Sequence, residues 1–265
     1  MEVPKTLEIT YAGRRVCLPD LPNYAKFYRK LASGTWEPHT FAVLGRNIDR
    51  QTVYVDIGAW IGVTPFWAAQ SAKAVIAIEP DPRCYEILRE LALRHSNVTV
   101  LNAALSGEVA VTINAVEGFG SSETSALAIG DGESIRAEGL TTDRIMALTG
   151  GAPSFVKIDI EGYEYFAIDE IAALEKYPVR GVQLAIHPQL LEKSLRGNRI
   201  LKRLRVAWMT WCLSRVLKGL FPPPSMAKYS GVMNYIAKGV ILRRTPKGTD
   251  FVFERRLPTL SGHPQ

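Results

Sequence analysis

The sequence predicts an α/β fold in which helices cover both faces of a mainly parallel sheet. Short apolar segments alternate with helical patterns of ten or more residues, which is typical of βαβ units. The apolar segments, for example 52–58 and 74–80, are nearly continuous, as expected for strands buried on both faces. The chain has 265 residues, of which 47% are hydrophobic, so one large core can be buried.

The elements follow one another in a regular order. Residues 7–18 are predicted to form a hairpin that turns at Gly13, and two helices follow at 23–32 and 38–49. The alternating part comprises strands at 52–58, 74–80, 97–105, 109–115, 154–162 and 181–187, and helices at 65–71, 82–95 and 163–177. Two more strands, 234–244 and 249–256, flank a turn.

This order divides the chain into two parts. Residues 1–50 form an N-terminal hairpin and helical cover, and residues 51–265 form the main domain. A basic helical insertion at about 189–224 interrupts the main domain.

Charge and cysteine content narrow the classes of function. A net charge of +6 is modest, and no DNA- or RNA-binding motif is present, which argues against a nucleic-acid partner. Three distant cysteines without a CxxC pair fit a reducing compartment. The first residues contain no apolar signal segment, and segment 206–220 is too short to span a bilayer. We therefore expect a cytoplasmic protein.

The segment VYVDIGAWIG, 53–62, predicts a nucleotide site. Ligands of open α/β sheets bind at the carboxyl ends of the strands, where Asp56 and the glycines Gly58 and Gly62 follow the first strand. Glu79 ends the next strand, 23 residues after Asp56, and an acid at about this distance is placed to bind ribose hydroxyls. The alternative is that Glu79 is a surface acid that caps the helix beginning near Pro82.

The glycine spacing distinguishes between nucleotides. A dinucleotide site requires G-x-G-x-x-G so that the backbone can approach a pyrophosphate, but here the pattern is G-x-x-x-G with Trp60 and Ile61 inside. No phosphate loop of the form G-x-x-x-x-G-K-[ST] occurs. Adenosine joined to an amino-acid tail, as in S-adenosylmethionine, fits better. The glycines could otherwise serve only close packing of strand and helix.

Four segments together resemble the FkbM-type methyltransferases: VDIGAWIGVTPFWAA, AIEPDPRCYEIL, NVTVLNAALSG and, most specifically, VKIDIEGYE. The similarity covers about residues 34–187. It implies a class I, Rossmann-like methyltransferase fold with a seven-stranded sheet and an antiparallel C-terminal strand. It also implies S-adenosylmethionine as cofactor and a hydroxyl acceptor on a small molecule, sugar or glycan.

The resemblance and the strand ends together give the expected cofactor site. The residues assigned to it are Glu37, Asp56, Gly58, Ala59, Gly62, Glu79, Pro80, Asn102, Ala103 and Asp159. Glu37 belongs to GTWEPHTF, which is similar to the short acidic entry segment of the family. Asn102 and Ala103 are expected to border the adenine.

Strand 154–162 carries charged residues where apolar ones are expected. Lys157 and Asp159 fall on one face of this strand. A buried lysine needs a partner, and Asp159 or Glu161 could provide it, in the site or as a structural ion pair at the rim of the sheet. A carboxylate of Asp159 could also bind the cofactor's ammonium group or the acceptor hydroxyl.

His187 ends strand 181–187 and is a candidate general base, because histidine can take a proton near neutral pH. The alternative is a histidine that fixes a loop. We therefore predict His187, Asp159 and Glu161 as catalytic residues. The same three could hold a divalent cation, but no compact ligand motif favours a metal.

The segment after His187 is rich in basic residues. Lysines and arginines recur every third residue, at Lys193, Arg196, Arg199, Lys202 and Arg205, and Leu191, Leu195, Leu204, Trp208 and Trp211 can occupy another side of a helix. This pattern indicates either a solvated face of a helix packed beside the sheet, or contact of the 193–218 helix with an anionic membrane or an acidic substrate.

Two other functions stay open at this point. A nucleotide- or dinucleotide-dependent oxidoreductase would use a similar sheet, although the missing third glycine argues against it. A non-catalytic binding module could keep the fold with a degenerate site, although the acids at 56, 79 and 159 are intact.

Overall fold

Parallel strands form the centre of the molecule in a computed structural model, which describes residues 6–115, 124–127, 133–220 and 249–254. The strands are β1 Thr6–Tyr11, β2 Arg14–Pro19, β3 Val53–Ile57, β4 Ala74–Ile78, β5 Val98–Leu101, β6 Ala103–Leu105, β7 Ala110–Ala115, β8 Thr124–Ser125, β9 Glu133–Leu140, β10 Ser154–Ile158, β11 Val179–Ile186 and β12 Thr249–Glu254. The helices are α1 Ala25–Ala32, α2 Pro38–Asn47, α3 Val63–Ala69, α4 Pro82–Ala92, α5 Thr142–Ala147, α6 Ile168–Ala173, α7 Pro188–Ser194 and α8 Arg199–Leu220.

The main sheet has the order β12-β11-β10-β3-β4-β5 among the described residues. Strands β11, β10, β3, β4 and β5 are parallel, and β12 is antiparallel to β11. The predicted mainly parallel sheet with an antiparallel C-terminal strand is thus confirmed. The predicted strand 234–244 lies outside the described residues, so the count of seven strands stays a prediction. After β3 the chain continues to β4 on one side of the sheet, whereas after β10 it continues to β11 on the other side. The crevice that binds a ligand in such sheets opens at this topological switch point, between β3 and β10.

A second, four-stranded sheet with the order β6-β9-β7-β8 differs from the prediction. The predicted strand 97–105 is in fact two strands, because the chain passes at Asn102 from the main sheet to the second one. Strand β9 was missed: its sequence, ESIRAEGL, buries residues only in its second half and carries three charged residues, so it lacks the continuous apolar run of a central strand.

Two predicted helices are interrupted in the structure. The helix expected at 163–177 is a 3₁₀ turn, then α6, then a second 3₁₀ turn. The cause is Glu164, whose fully buried carboxylate accepts hydrogen bonds from the backbone N–H groups of Gly162 (2.8 Å) and His187 (2.6 Å). The basic helix expected at 189–220 breaks between α7 and α8, where Leu195 is extended and Gly197 has φ +120°.

The two faces of the main sheet bury separate apolar clusters. Along β3, Val53, Val55 and Ile57 face a core that contains α5 to α8, whereas Tyr54 faces a core with α1 to α4 and the N-terminal hairpin. The described part of the N-terminal segment, residues 6–50, therefore shares a core with α3 and α4. No described helix combines the length and the apolar character needed to cross a bilayer.

Gly58 lets the ends of β3 and β10 meet backbone to backbone. Its φ is +87°, and a Cβ atom placed there would lie 1.8 Å from the carbonyl oxygen of Asp159. The N–H of Asp159 in turn donates to the carbonyl of Ile57 at 2.9 Å. The first glycine of the loop is therefore required by the approach of two strands, whatever the ligand.

We expect Gly58→Ala to destabilise the protein more than Gly34→Ala. Gly34 also has a positive φ, +72°, but its Cβ would meet nothing within 4 Å. Gly34→Ala should cost about 1–2 kcal/mol of backbone strain. Gly58→Ala should cost roughly 1–3 kcal/mol more, because the backbone of Asp159 must move. Denaturant unfolding measures both, and equal losses would contradict the close approach.

Candidate active site

A cavity of about 490 Å³ opens at the carboxyl ends of β3, β4 and β10. Within the described part of the chain, four carboxylates line it: Glu37, Glu79, Asp159 and Glu161. The remaining wall is contributed by the second sheet, through Ile113 and Ser125, and by α1. A volume of this size is ordinary for a small-molecule site.

Lys157 also lines the cavity, although its side chain is only 7% exposed. Its Nζ lies 3.0 Å from Asp159 Oδ2 and 3.6 Å from Asp56 Oδ1, and parallel pairing places Lys157 directly opposite Asp56. Burial lowers the pKa of Lys157, but the charges of Asp159, Asp56 and Glu37 outweigh burial and raise it above its usual range. The lysine is therefore a permanent cation, and the expected partner Asp159 is confirmed.

Asp56 is fully buried and lies behind the cavity wall. Its Oδ2 accepts hydrogen bonds from the hydroxyls of Tyr54, at 2.9 Å, and Thr64. Burial raises its pKa, while Lys157 and these two hydroxyls counteract the rise. Asp56 thus holds Lys157 and the start of α3 in place, and it does not line the cavity as a cofactor ligand would.

Glu79 lines the cavity with both carboxylate oxygens held from behind. Oε2 accepts from the N–H of Trp60 and Oε1 from the N–H of Asp81, each at 2.8 Å. Burial raises the pKa of Glu79 to about 7, although the two backbone hydrogen bonds oppose this. The helix cap is supplied by Asp81, whose side chain accepts from Arg83 and Cys84, so Glu79 is not the cap.

The other predicted cofactor residues divide into two groups. Glu37, Gly58, Ala59, Pro80, Ala103 and Asp159 line the cavity. Gly62 and Asn102 do not. Gly62 has φ +91° at the start of α3, and a Cβ there would lie 2.3 Å from the Phe66 ring. The Asn102 amide donates to the carbonyls of Glu79 and Pro80, at 2.9 and 3.2 Å, so it supports the residues that do line the cavity.

His187 lies behind the two predicted catalytic carboxylates and does not line the cavity. Its Nε2 is 3.7 Å from Asp159 Oδ1 and 3.6 Å from Glu161 Oε2, and its Nδ1 is 3.5 Å from Glu164 Oε1. Burial lowers its pKa, but Glu164, Glu161 and Asp159 outweigh burial and raise the pKa to about 9. His187 is therefore protonated at neutral pH, and a protonated imidazole cannot act as a general base.

The three predicted catalytic residues also satisfy the spacing of a metal site. One ligand atom from each of Asp159, Glu161 and His187 lies within 4.8 Å of the others. A carboxylate pair with one imidazole suits several divalent cations. A metal cation there would have to displace the proton of His187.

An aromatic wall is the part of the site that the sequence did not reveal. Tyr24, Phe27, Trp36 and Trp60 line the cavity. Phe27 contacts Trp60 at 4.8 Å and Trp36 at 5.2 Å between ring centroids. The spacing of Tyr24 and Phe27 on one helical face was a visible signal, but nothing in the sequence linked that face to the glycine loop.

We expect His187 to titrate near pH 9 in NMR spectra recorded with a metal chelator. The chain has four histidines, so His187→Gln assigns its signal. The pKa of His187 in the folded protein exceeds the usual value of 6.5, so its contacts with the carboxylates stabilise the fold fully below pH 6.5. This stabilisation is lost as the pH rises through about 9. Glu161→Gln should lower the pKa of His187.

The matched control is Glu86→Gln on α4, where the exposed glutamate pairs with the surface residue Arg89. It should leave the titration of His187 unchanged. A wild-type pKa at or below 6.5 would contradict the carboxylate contacts and would restore His187 as a candidate base.

The chain is similar to several solved structures at low identity. The fibrillarin pre-rRNA processing protein of Methanococcus jannaschii is 12% identical, with 96% of this chain and 84% of that chain covered and a TM-score of 0.42. The 23S rRNA methyltransferase ErmE is 16% identical, with 85% and 71% covered and a TM-score of 0.38. An rRNA methylase of Streptococcus thermophilus is 10% identical, with 56% and 69% covered and a TM-score of 0.33.

These proteins are named for ribosomal RNA, whereas the sequence argues against a nucleic-acid partner. At such identities and TM-scores the likeness does not say what this chain binds. No curated protein matches the chain significantly. The family comparison is more specific: the methyltransferase FkbM domain matches residues 56–201, which is more than half of the chain and includes the glycine loop, Glu79, Asp159 and His187. The chain belongs to the FkbM methyltransferase domain family.

Proposed function

We propose that this protein transfers a methyl group from S-adenosylmethionine to a hydroxyl of a small molecule, sugar or glycan. The observation that carries the proposal is that the carboxylates after β4 and β10, those of Glu79, Asp159 and Glu161, line one cavity. When bound, the cofactor supplies a methyl group activated by a positively charged sulfur. Together with family membership, an acidic wall supports a cationic ligand.

The arrangement of charge argues against a pyrophosphate ligand. Of the lysines that line the cavity, Lys157 is committed to Asp56 and Asp159, and Lys26 and Lys30 lie exposed on α1 at the rim. A dinucleotide would place two phosphates against carboxylates, which is unfavourable where burial weakens screening. This observation disfavours the oxidoreductase alternative.

The residues of the cavity have separable roles in the proposed reaction. Glu79 would accept hydrogen bonds from the ribose hydroxyls, and Ala103 would border the base. Asp159, which Lys157 and His187 keep ionised at neutral pH, would bind the ammonium group of the cofactor. Glu161 lines the cavity beside it and would take the proton of the acceptor hydroxyl. Holding acceptor and donor in line supplies much of the remaining rate.

His187 has a supporting role in this scheme. Its N–H groups lie near Asp159, Glu161 and Glu164, so it would fix the orientation of the carboxylates that face the cavity. A non-catalytic binding module, the second alternative, would keep these contacts but would transfer no methyl group.

Titration calorimetry with S-adenosylhomocysteine tests the cofactor assignment. We expect the wild type to bind and Glu79→Gln to bind roughly 10–100-fold more weakly, because a charged acceptor of hydrogen bonds is lost. Glu86→Gln, the exposed control on α4, should bind like the wild type. Absence of binding by the wild type would reject the cofactor.

The pH dependence separates a ribose contact from a loss of folding in Glu79→Gln. The pKa of Glu79 is raised to about 7, so its carboxylate is available above this pH and is protonated below it. Wild-type affinity should therefore rise by up to about tenfold per unit of pH as Glu79 ionises. Glu79→Gln should show a flat profile over the same range.

Isotope labelling tests the acceptor. We expect incubation with methyl-¹³C S-adenosylmethionine and a panel of sugars, polyols and phenols to give a ¹³C signal of an O-methyl group. Glu79→Ala, which should lose the cofactor, is the control. Signals of N-methyl or C-methyl groups alone would contradict a hydroxyl acceptor, and no transfer to any acceptor would favour the binding module.

A further inference from the structure

Helix α8 exposes large apolar side chains on the side that faces away from the core. Ile200 is 74% exposed, Trp208 63% and Leu204 61%, and Leu201 and Trp211 are also exposed. The opposite side of the same helix, with Val206, Leu213 and Leu217, is buried against α6 and α7. Packing beside the sheet therefore does not explain the exposed side.

The exposed side chains form one continuous stripe. At about 100° per residue, they fall within an arc of about 140°, and at 1.5 Å per residue they extend over about 22 Å. We call this the α8 stripe; it consists of Ile200, Leu201, Leu204, Arg205, Trp208, Trp211 and Arg215. The side chains pack on one another: the rings of Trp208 and Trp211 stack at 5.0 Å, and the Arg215 guanidinium lies 5.3 Å from the Trp211 ring.

The segment that carries the stripe has a larger positive charge than the chain as a whole. Residues 188–220 contain eight lysines and arginines and one acid, Glu192, so this segment carries +7 while the whole chain carries +6. Glu192 lies 3.6 Å from Arg203, and both are largely covered, so the acid is not on the stripe. The segment around the stripe is therefore strongly basic, which favours an anionic ligand.

We propose that the α8 stripe docks on the surface of an anionic phospholipid bilayer. Tryptophan and aliphatic side chains insert at the boundary of headgroups and acyl chains, and arginines bind the lipid phosphates. The helix lies along the surface and does not cross it, since it is not apolar enough to span. This inference does not depend on the proposed methyl acceptor.

The same features disfavour two other occupants. A single strand of nucleic acid binds grooves lined by stacking platforms, whereas the stripe is convex and three of its side chains are aliphatic. A second copy of this chain, docked about a two-fold axis, would bring two segments of +7 together.

Sedimentation with vesicles of phosphatidylcholine, with and without phosphatidylserine, tests the proposal. We expect the wild type to sediment only with vesicles that contain phosphatidylserine, and less at high salt. Arg205→Glu with Arg215→Glu should weaken binding on the order of tenfold or more. The matched control is Arg15→Glu with Arg136→Glu, which changes the net charge equally on exposed strand residues.

The apolar part has its own test. Trp208→Ser with Trp211→Ser should weaken vesicle binding about tenfold and should abolish the blue shift of tryptophan fluorescence on binding. Leu93→Ser, at an 80% exposed leucine after α4, is the control and should bind like the wild type. Thermal melting and binding of S-adenosylhomocysteine check that each variant is folded.

Several outcomes would overturn the proposal. The proposal is wrong if the wild type does not sediment with anionic vesicles. It is also wrong if the stripe and control arginine variants lose vesicle binding equally, or if the tryptophan variant binds vesicles like the wild type. Wild-type binding to single-stranded RNA without binding to vesicles would point to nucleic acid instead. A dimer in light scattering that the tryptophan variant dissociates, without vesicle binding, would point to a second copy. Failure of S-adenosylhomocysteine binding alone would affect the proposed function and not the docking surface.

Discussion

The buried ammonium group of Lys157 is the contact on which the arrangement of the site depends. It joins the carboxylate of Asp56 on β3 to that of Asp159 at the end of β10, with almost no access to water. Removing one member of such a group leaves a buried charge without compensation, which costs about 3–5 kcal/mol. The backbone contact at Gly58 brings the strand ends close enough for this group to form. Lys157 and Gly58 therefore act together to fix the positions of the Asp56 and Asp159 carboxylates.

The acids of the cavity owe their orientation to groups that never face it. Backbone N–H groups hold both oxygens of Glu79, Asn102 supports the carbonyls around it, and His187 lies behind Asp159 and Glu161. Preorganised carboxylates of this kind suit a cationic ligand, because no side chain has to reorient when it binds. The aromatic residues Tyr24, Phe27, Trp36 and Trp60 also line the cavity and pack against the same core as α3.

Sequence reasoning recovered the sheet and most of the cavity wall, and its failures share a cause. Strands β3, β4 and β10 are short, mostly apolar runs that alternate with helical patterns, and this alternation identifies them. Strand β9 has a charged sequence, and the helix after β10 is interrupted by Glu164, which bonds to the backbone of His187, a residue 23 positions away. Such contacts depend on which segments meet in space. The same limit explains why His187 looked like a base, since its raised pKa comes from three carboxylates on another strand end.

The sequence by itself determined the parallel α/β arrangement, the acids at 56, 79 and 159, and the basic character of residues 188–220. Local apolar period, glycine spacing and charge carry these properties, so no long-range contact is needed to predict them. Only the tertiary structure decided which acids line the cavity, which residues cover it, and which side of α8 faces water. Those outcomes depend on the order of the strands in the sheet and on the packing of the helices against it, because both bring together residues that are far apart in the chain.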